Sequence, residues 1–325
     1  MLLSIVILSY NRPKQVERIL EHFIGVQKGD FNIVVKDDSS PLQVEIAEIV
    51  ESYSEKLQVE VIFHANEKNM GYDMNLLDSF VIAESEYVFL LSDDDYIDGH
   101  HIASALNVLA RQEFNLYITP YHENGVTRRS ITSSYNISKF ADIIYNSILF
   151  SGLIFRKSAV LSLNLDLSFL SNCIYSQVYI SAALAYQDQN FGLMPVGILY
   201  LGGDGENYFG KNSSAKNSEL LSERKQIDSN LNYQKFLLEV VDEVSKNTTP
   251  LIKVIFLREY RRRLVGYGFR ARSNGFRKYS RFIRSHLILN GFVHSTVLLF
   301  LIALVPAALA KQIYRLGTNL LKNSG

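Results

Sequence analysis

Tyr87-Val88-Phe89-Leu90-Leu91-Ser92-Asp93-Asp94-Asp95 is the stretch whose reading decides the fold. Its apolar half mixes aromatic and branched side chains, which suits a strand covered on both faces. The three carboxylates follow at the carboxyl end, and in an open α/β sheet that end lines the ligand crevice. Adjacent like charges repel, so the triplet calls for a positive partner. A divalent cation on oxygen ligands meets that need. A solvated loop, or a cap for the helix IDGHHIASAL, is the other reading of the same acids.

Working outward, LLSIVILS (residues 2–9) reads as a first strand ending in Tyr10-Asn11-Arg12-Pro13. In KQVERILEHFI, Val16, Ile19, Leu20 and Phe23 recur at helical spacing. FNIVVKDDSS gives a second strand ending in Asp37-Asp38, VEIAEIVESYSEKL a second helix and VEVIFHAN a third strand. Asn69-Met70-Gly71 and a helix over residues 75–84 lead into the acidic strand. This alternation predicts a doubly wound, mainly parallel sheet. Beyond the acids the spacing predicts helices in HIASALNVLARQ, KFADIIYN and residues 174–186, with strands NLYITPY, SGLIFRK and GILYL. A glycine-rich loop (Gly202 to Gly210), a polar linker (Lys211 to Ser218) and further helices complete the chain.

With 325 residues and 47% hydrophobic content, the chain buries a large core. Its one cysteine, Cys173, excludes an intrachain disulfide framework and a cysteine-based zinc site. The first strand is too short, and lacks the basic flank, to serve as a secretory signal. A net charge of zero hides two unlike parts: residues 251–325 carry 14 Lys or Arg and a single acid, Glu259.

Strand–SYNRP, strand–DDSS, N-M-G, A-E-S-E-Y-V-F-L-L and then D-D-D stand in an order that resembles the family 2 glycosyltransferases of the GT-A fold. That family reads S-x-[VI]-I-x-x-[YF]-N-R, V-x-D-D-x-S, N-x-G and A-x-G-E-Y-[IV]-x-x-L-D-x-D-D. The likeness covers residues 2–160. It implies an α/β GT-A domain over residues 1–210, with a doubly wound mixed sheet. A basic helical region (211–290) and an apolar, membrane-associating C-terminal helix (291–325) follow.

For the nucleotide-sugar donor that the resemblance implies, the residues have work to do. Ser9, Tyr10, Asn11 and Arg12 sit at a strand exit, where Tyr10 packs beside a base and Arg12 offers donors. By resemblance Asp38 holds the base, with Asp37 in a structural role. Gly71 permits a turn with positive φ, and Asn75 with Asn69 orients it. The resemblance also implies that Asp94 ligates Mg2+ or Mn2+ on the donor diphosphate. Asp95 and Asp93 would help through the metal, its water or the ribose. One departure is Ser92, which falls where the family has its leading acid.

Inverting members of the family take the acceptor proton on an acidic pair that follows a G-x-x-x-F-R-[KR] strand. The strand is present as Gly152 to Lys157, but the helix reads Tyr175-Ser176-Gln177-Val178-Tyr179, without a carboxylate. Gln177, an amide, positions an acceptor but does not deprotonate it. Asp204 and Glu206 in the glycine-rich loop, or Asp166, are the substitutes. His100 and His101 flank the acids and read as surface residues at a helix start.

From Lys253 to Arg284 the chain holds eleven basic residues interleaved with aromatics, and residues 292–310 then carry no charged side chain. A helix or hairpin dipping into the cytoplasmic leaflet fits this order, with the basic segment on anionic headgroups. A full span, or a helix packed as core, are the other readings; nucleic acid is not the expected partner. The sequence thus predicts a transferase at the cytoplasmic face of the membrane, peripheral or C-terminally anchored. It would move sugar from a nucleoside diphosphate donor to a glycan or lipid-linked acceptor in bacterial surface polysaccharide assembly. A non-catalytic homologue that binds nucleotide-sugar or glycan is the alternative, kept open by the absent acidic pair.

Overall fold

In the computed structural model, residues 1–123, 126–129, 139–173, 175–187, 190–202, 229–246, 251–290 and 294–323 are described. The chain forms two units, Met1–Ala215 and Lys216–Gly325. In the first, β1 (Leu3–Ser9), β2 (Phe31–Asp37), β3 (Glu60–Ala65) and β4 (Tyr87–Ser92) run parallel, with β1 between β2 and β4. Beyond β4 the sheet continues through β9 (Leu153–Arg156), β6 (Leu116–Ile118) and β10 (Phe191–Leu193). Strand β9 is antiparallel to both its neighbours, so the sheet is mixed.

Side chains alternate across this sheet. Leu3, Ile5 and Ile7 of β1, with Ile33 and Val35 of β2 and Phe89 and Leu91 of β4, enter the main apolar core. That core also takes the apolar stripes of α1 (Pro13–Glu21), α2 (Gln43–Lys56) and α4 (Ile102–Leu109). The opposite face is covered by α3 (Tyr72–Ile82), whose Phe80 meets Phe155 of β9 edge-on at 5.4 Å. Beside α3 lie α5 (Phe140–Asn146), α6 (Lys157–Leu161) and α8 (Ser176–Gln187), with the short α7 (Leu167–Leu170) leading into α8. Phe80 is wholly enclosed, and truncating such a ring to alanine costs about 3–5 kcal/mol.

The segment NLYITPY, expected as one strand, divides. After β6, Thr119-Pro120 breaks the ladder, since proline donates no hydrogen bond, and the chain restarts as β7 (Tyr121–Glu123). Strand β7 joins a second, four-stranded sheet with β5 (Tyr96–Ile97), β8 (Val126–Arg128) and β11 (Leu199–Tyr200).

The second unit is helical: α9 (Ser229–Ser245), α10 (Leu251–Ser273), α11 (Phe276–Asn290), α12 (His294–Ala303) and α13 (Ala307–Asn323). Gly268 of α10 lets α12 approach closely, for a Cβ there would stand 2.9 Å from Leu299 and 3.2 Å from Ile302. The apolar run, expected as a helix or a hairpin, is two helices. Pro306 lacks an N–H and disfavours helical geometry at Val305, so the chain turns there. Among the described residues no helix is long and apolar enough to cross a membrane.

Candidate active site

The chain runs β1, β2, β3 to one side and then returns to place β4 on the other side of β1. Leu8 therefore pairs with Ser92, and the exits of β1 and β4 lie side by side at a topological switch point. Asn11 takes a left-handed φ of 62° just after β1, a turn that asparagine tolerates. Pro13 then opens α1, where its missing N–H costs nothing.

This turn delivers Arg12 to the acids. Its Nη1 donates to Asp93 Oδ1 at 2.9 Å, and the Tyr10 amide donates to Asp93 Oδ2 at 3.3 Å. Both Arg12 and Asp93 are buried. Burial pushes the Asp93 carboxyl up to about 7, against the opposing pull of Arg12. Asp95 faces the other way, bonded by the Ser151 hydroxyl and, at 3.2 Å, by the Gly202 amide. Burial lifts it to about 6. Asp94 points outward: its side chain is 38% exposed and stands 3.8 Å from Arg12 Nη1.

The adjacent acids thus do not form one shared cluster. The chain leaves β4 at Ser92 in a turn, the Asp95 amide donating to the Ser92 carbonyl at 3.2 Å, so that Asp93 bonds toward the exit of β1 while Asp95 bonds Ser151 and Gly202. Among the described residues no three His, Cys, Asp or Glu side chains converge as a metal cage. What remains is one outward carboxylate beside two buried ones that Arg12 leaves incompletely neutralised. That arrangement fits a cation whose other ligands come from phosphate and water, the habit of Mg2+.

Asp38 lies beneath the loop before α3. Its Oδ1 accepts from Asn66 Nδ2 at 2.7 Å and from the Met70 amide at 2.8 Å, and its Oδ2 accepts from the Gly71 amide at 2.9 Å. A carboxylate oxygen has two lone-pair sites, so Oδ2 keeps one for a ligand. Asn66 Nδ2 also reaches Asn75 Oδ1 at 2.8 Å, which engages Asn75 inside this network. Gly71 adopts φ 77°, and its amide also meets Asn69 Oδ1 at 3.0 Å. Asp37 closes a turn by accepting from the Ser40 amide and hydroxyl, both at 2.7 Å. Burial raises Asp37 and Asp38 above the usual carboxylate range. At the exit of β1, Ser9 Oγ and Asn11 Oδ1 are buried with no hydrogen-bond partner among the described residues. Such orphaned atoms ask for a ligand or water.

On the far side, Gln177 is buried and its amide is engaged at both ends. Tyr72 Oη donates to its Oε1 at 2.9 Å, and its Nε2 donates to the Ile148 carbonyl at 2.7 Å. Asp166 caps α7 through the Ser168 and Phe169 amides. His101 meets Asp98 at 2.9 Å on the surface. Asp204 and Glu206 lie outside the described residues.

Four residues escaped the sequence reading. Lys36 is completely buried yet charged, donating to Asn66 Oδ1 at 2.6 Å and Asp78 Oδ2 at 2.7 Å. Ser151 ties Asp95 to the Ser92 amide, which donates to its Oγ at 3.0 Å. Arg129 is half-buried behind Asp95, bonded to the carbonyls of Thr119, Ser151 and Leu149. Asp73, on the first turn of α3, accepts from the Ser176 amide of α8 at 3.3 Å. Only Ser151 carried a signal, its place just before the G-x-x-x-F-R-[KR] strand.

Abequosyltransferase RfbV of Salmonella typhimurium is 27% identical over 127 residues, which is 38% of this chain and 37% of that protein. The match therefore spans little more than a third of the relative's length. Among solved structures, S. aureus TarS 1-349 in complex with UDP aligns over 88% of this chain and 81% of its own, at 16% identity and TM-score 0.56. The mannosyltransferase PcManGT from Pyrobaculum calidifontis, in complex with GDP-Man and Mn2+, covers 98% of this chain and 83% of its own. Its identity is 13% and its TM-score 0.56, so these two likenesses speak to a GT-A-like fold. Residues 4–173, more than half of the chain, match the family described as Glycosyl transferase family 2. A mixed sheet with acids at its switch point, and a family match that takes in the strand Gly152 to Lys157, agree: the chain belongs to Glycosyl transferase family 2.

Proposed function

We propose that this enzyme transfers a sugar, with inversion, from a nucleoside diphosphate donor to a lipid-linked glycan in the assembly of a bacterial surface polysaccharide. One observation carries the donor half: the exits of β1 and β4 set Arg12, Asp93 and an outward Asp94 side by side. The TarS structures with UDP and UDP-GlcNAc, and the PcManGT complex with GDP-Man, support a donor of that class. The likeness to an abequosyltransferase supports a glycan product.

In this reading Ser9 and Asn11 take the base or ribose with their unpartnered oxygens, and Asp38 Oδ2 accepts from the base. Arg12 and Tyr10 hold Asp93 in place, while Ser151 and Gly202 do the same for Asp95. Asp94 would hold Mg2+ or Mn2+, which neutralises charge on the departing diphosphate as a Lewis acid. Burial of the flanking acids keeps that charge unscreened by water.

The acceptor and the location rest on the helical unit. Val297, Leu298, Phe300, Leu301 and Leu304 are all about half exposed or more. Arg277, Lys278, Arg281 and Arg284 of α11 are exposed as well. This pairing supports a peripheral seat on an anionic cytoplasmic leaflet, each basic residue adding about 1 kcal/mol. An acceptor on a lipid carrier would then meet the enzyme at raised effective concentration.

The test uses UDP-GlcNAc and GDP-mannose as donors with a panel of octyl hexosides, with and without EDTA. Transfer is expected to fall by on the order of 100-fold or more in EDTA and in Asp94→Asn. Full activity in either case overturns the metal role.

A further inference from the structure

Inversion needs a group that takes the acceptor proton, and the first turn of α8 supplies no carboxylate of its own. Gln177 has both ends of its amide engaged. Yet a carboxylate does reach this place, from another element. Asp73, buried on the first turn of α3, meets the Ser176 amide at 3.3 Å across 103 positions of sequence. Beside it Ser176 Oγ is fully buried and has no hydrogen-bond partner among the described residues. A buried hydroxyl next to a carboxylate offers a donor and an acceptor to a ligand hydroxyl.

The spot adjoins the donor site. Two residues before Asp73, the Gly71 amide is held by Asp38. Its chain neighbour Tyr72 packs edge-on against Phe150 at 5.6 Å, and Phe150 precedes the Ser151 that bonds Asp95. The start of α3 thus bridges the base-binding side of the crevice and the head of α8. Asp93 and Asp95 are tied to Arg12 and to Ser151 with Gly202, and Asp94 faces the leaving group.

We propose that Asp73 is the general base, acting from α3 in place of an acid on α8, with Ser176 Oγ orienting the acceptor hydroxyl. The acceptor hydroxyl gives its proton to the Asp73 carboxylate as its oxygen bonds the anomeric carbon. The bond from that carbon to the diphosphate breaks, and its electron pair leaves with the nucleoside diphosphate. This rests on the transferase reading above and deepens it.

Asp73→Asn is the deciding variant, because asparagine still accepts the Ser176 amide as a helix cap but takes no proton. With UDP-GlcNAc or GDP-mannose and octyl hexosides, kcat is expected to fall about 100- to 10,000-fold. Donor KM and melting temperature should hold, and the acid limb of the wild-type pH profile should vanish. Asp73→Ser, also a capping residue, substitutes if the amide variant does not fold. Wild-type turnover in whichever variant folds, or an unchanged acid limb, overturns Asp73 as the base and leaves the transferase reading standing. No transfer by the wild-type enzyme with any pair counts against the transferase reading itself.

Discussion

Lys36 offers the sharpest test of how the core supports the donor site. Its ammonium is wholly enclosed, bonded to Asp78 at 2.7 Å and Asn66 at 2.6 Å. Lys36→Met fills the space with apolar atoms but leaves Asp78 without its cation. Breaking a buried pair costs about 3–5 kcal/mol. The Asp78 side chain is 30% exposed, so water recovers part of this and about 3 kcal/mol remains. Adding Asp78→Asn removes the stranded charge, and the double variant should lose only about 1 kcal/mol, the worth of one hydrogen bond to Asn66. Asp78→Asn should thus restore about 2 kcal/mol in the Lys36→Met background. Function follows through Asn66, which bonds Asp38 and Asn75 and so steadies residues 66–71. Nucleotide affinity measured by calorimetry should weaken about tenfold in Lys36→Met, equivalent to about 1.4 kcal/mol. Hydrogen exchange on peptides of β2 and α3 reads the stability of this unit alone. A double variant no more stable than Lys36→Met would refute the charge-burial account. Unchanged exchange across residues 66–71 would refute the link to the donor.

Gly202→Ala should disturb the acids directly, since the new Cβ would lie 1.7 Å from the Asp94 carbonyl oxygen, where backbone must move. Expected are a stability loss of at least about 1–3 kcal/mol and weaker donor binding, and an unchanged melting temperature would contradict the packing. His286, enclosed between Tyr260 and Thr296, has its pKa pushed down to about 4 by burial and then by Arg261. Between about pH 6.5 and 4 the unfolded chain binds a proton that the folded unit refuses, so stability present above 6.5 is lost on acidification. The ceiling is about 3 kcal/mol, and roughly half that after screening by solvent near the ring. His286→Gln should remove this slope from urea titrations run at several pH values. Vesicles containing phosphatidylglycerol should sediment the protein while phosphatidylcholine vesicles do not, and Leu301→Glu with Leu304→Glu should abolish the difference. Equal binding to both vesicle types would sink the electrostatic part of the membrane reading.

How far the sequence was legible depends on whether a residue's task is local. Strands β1 to β4 and the helices between them were readable because apolar period and strand-end polarity are local properties. The antiparallel course of β9 was not, because direction within a sheet is set by the whole connection. Strand β10 lies at the edge and spans only three residues, too few to show a period. Lys36 was overlooked because a lysine in a strand ordinarily marks the solvent face. Here that face is covered by α3, and the charge is met by Asp78, 42 positions away. Asp73 fell just before the helix expected over residues 75–84, whereas α3 starts at Tyr72 and makes it a first-turn acid, favoured there by the dipole whatever else it does.

The same distinction explains why three adjacent acids serve separate ends. Past Ser92 the chain leaves the strand in a turn, the Asp95 amide donating to the Ser92 carbonyl at 3.2 Å, so residues 93 and 95 do not share a side as they would in a continuing strand. Asp93 falls to the β1 side, where Arg12 is the nearest cation, and Asp95 to the side closed by Ser151 and Gly202. Asp94, between them, is the one left outward. Ser151 Oγ then couples the strand end to the buried acid, since it accepts from the Ser92 amide at 3.0 Å while bonding Asp95. The donor in that bond is main chain, which any residue at position 92 supplies, so the departure from the family's leading acid at Ser92 leaves this tie intact.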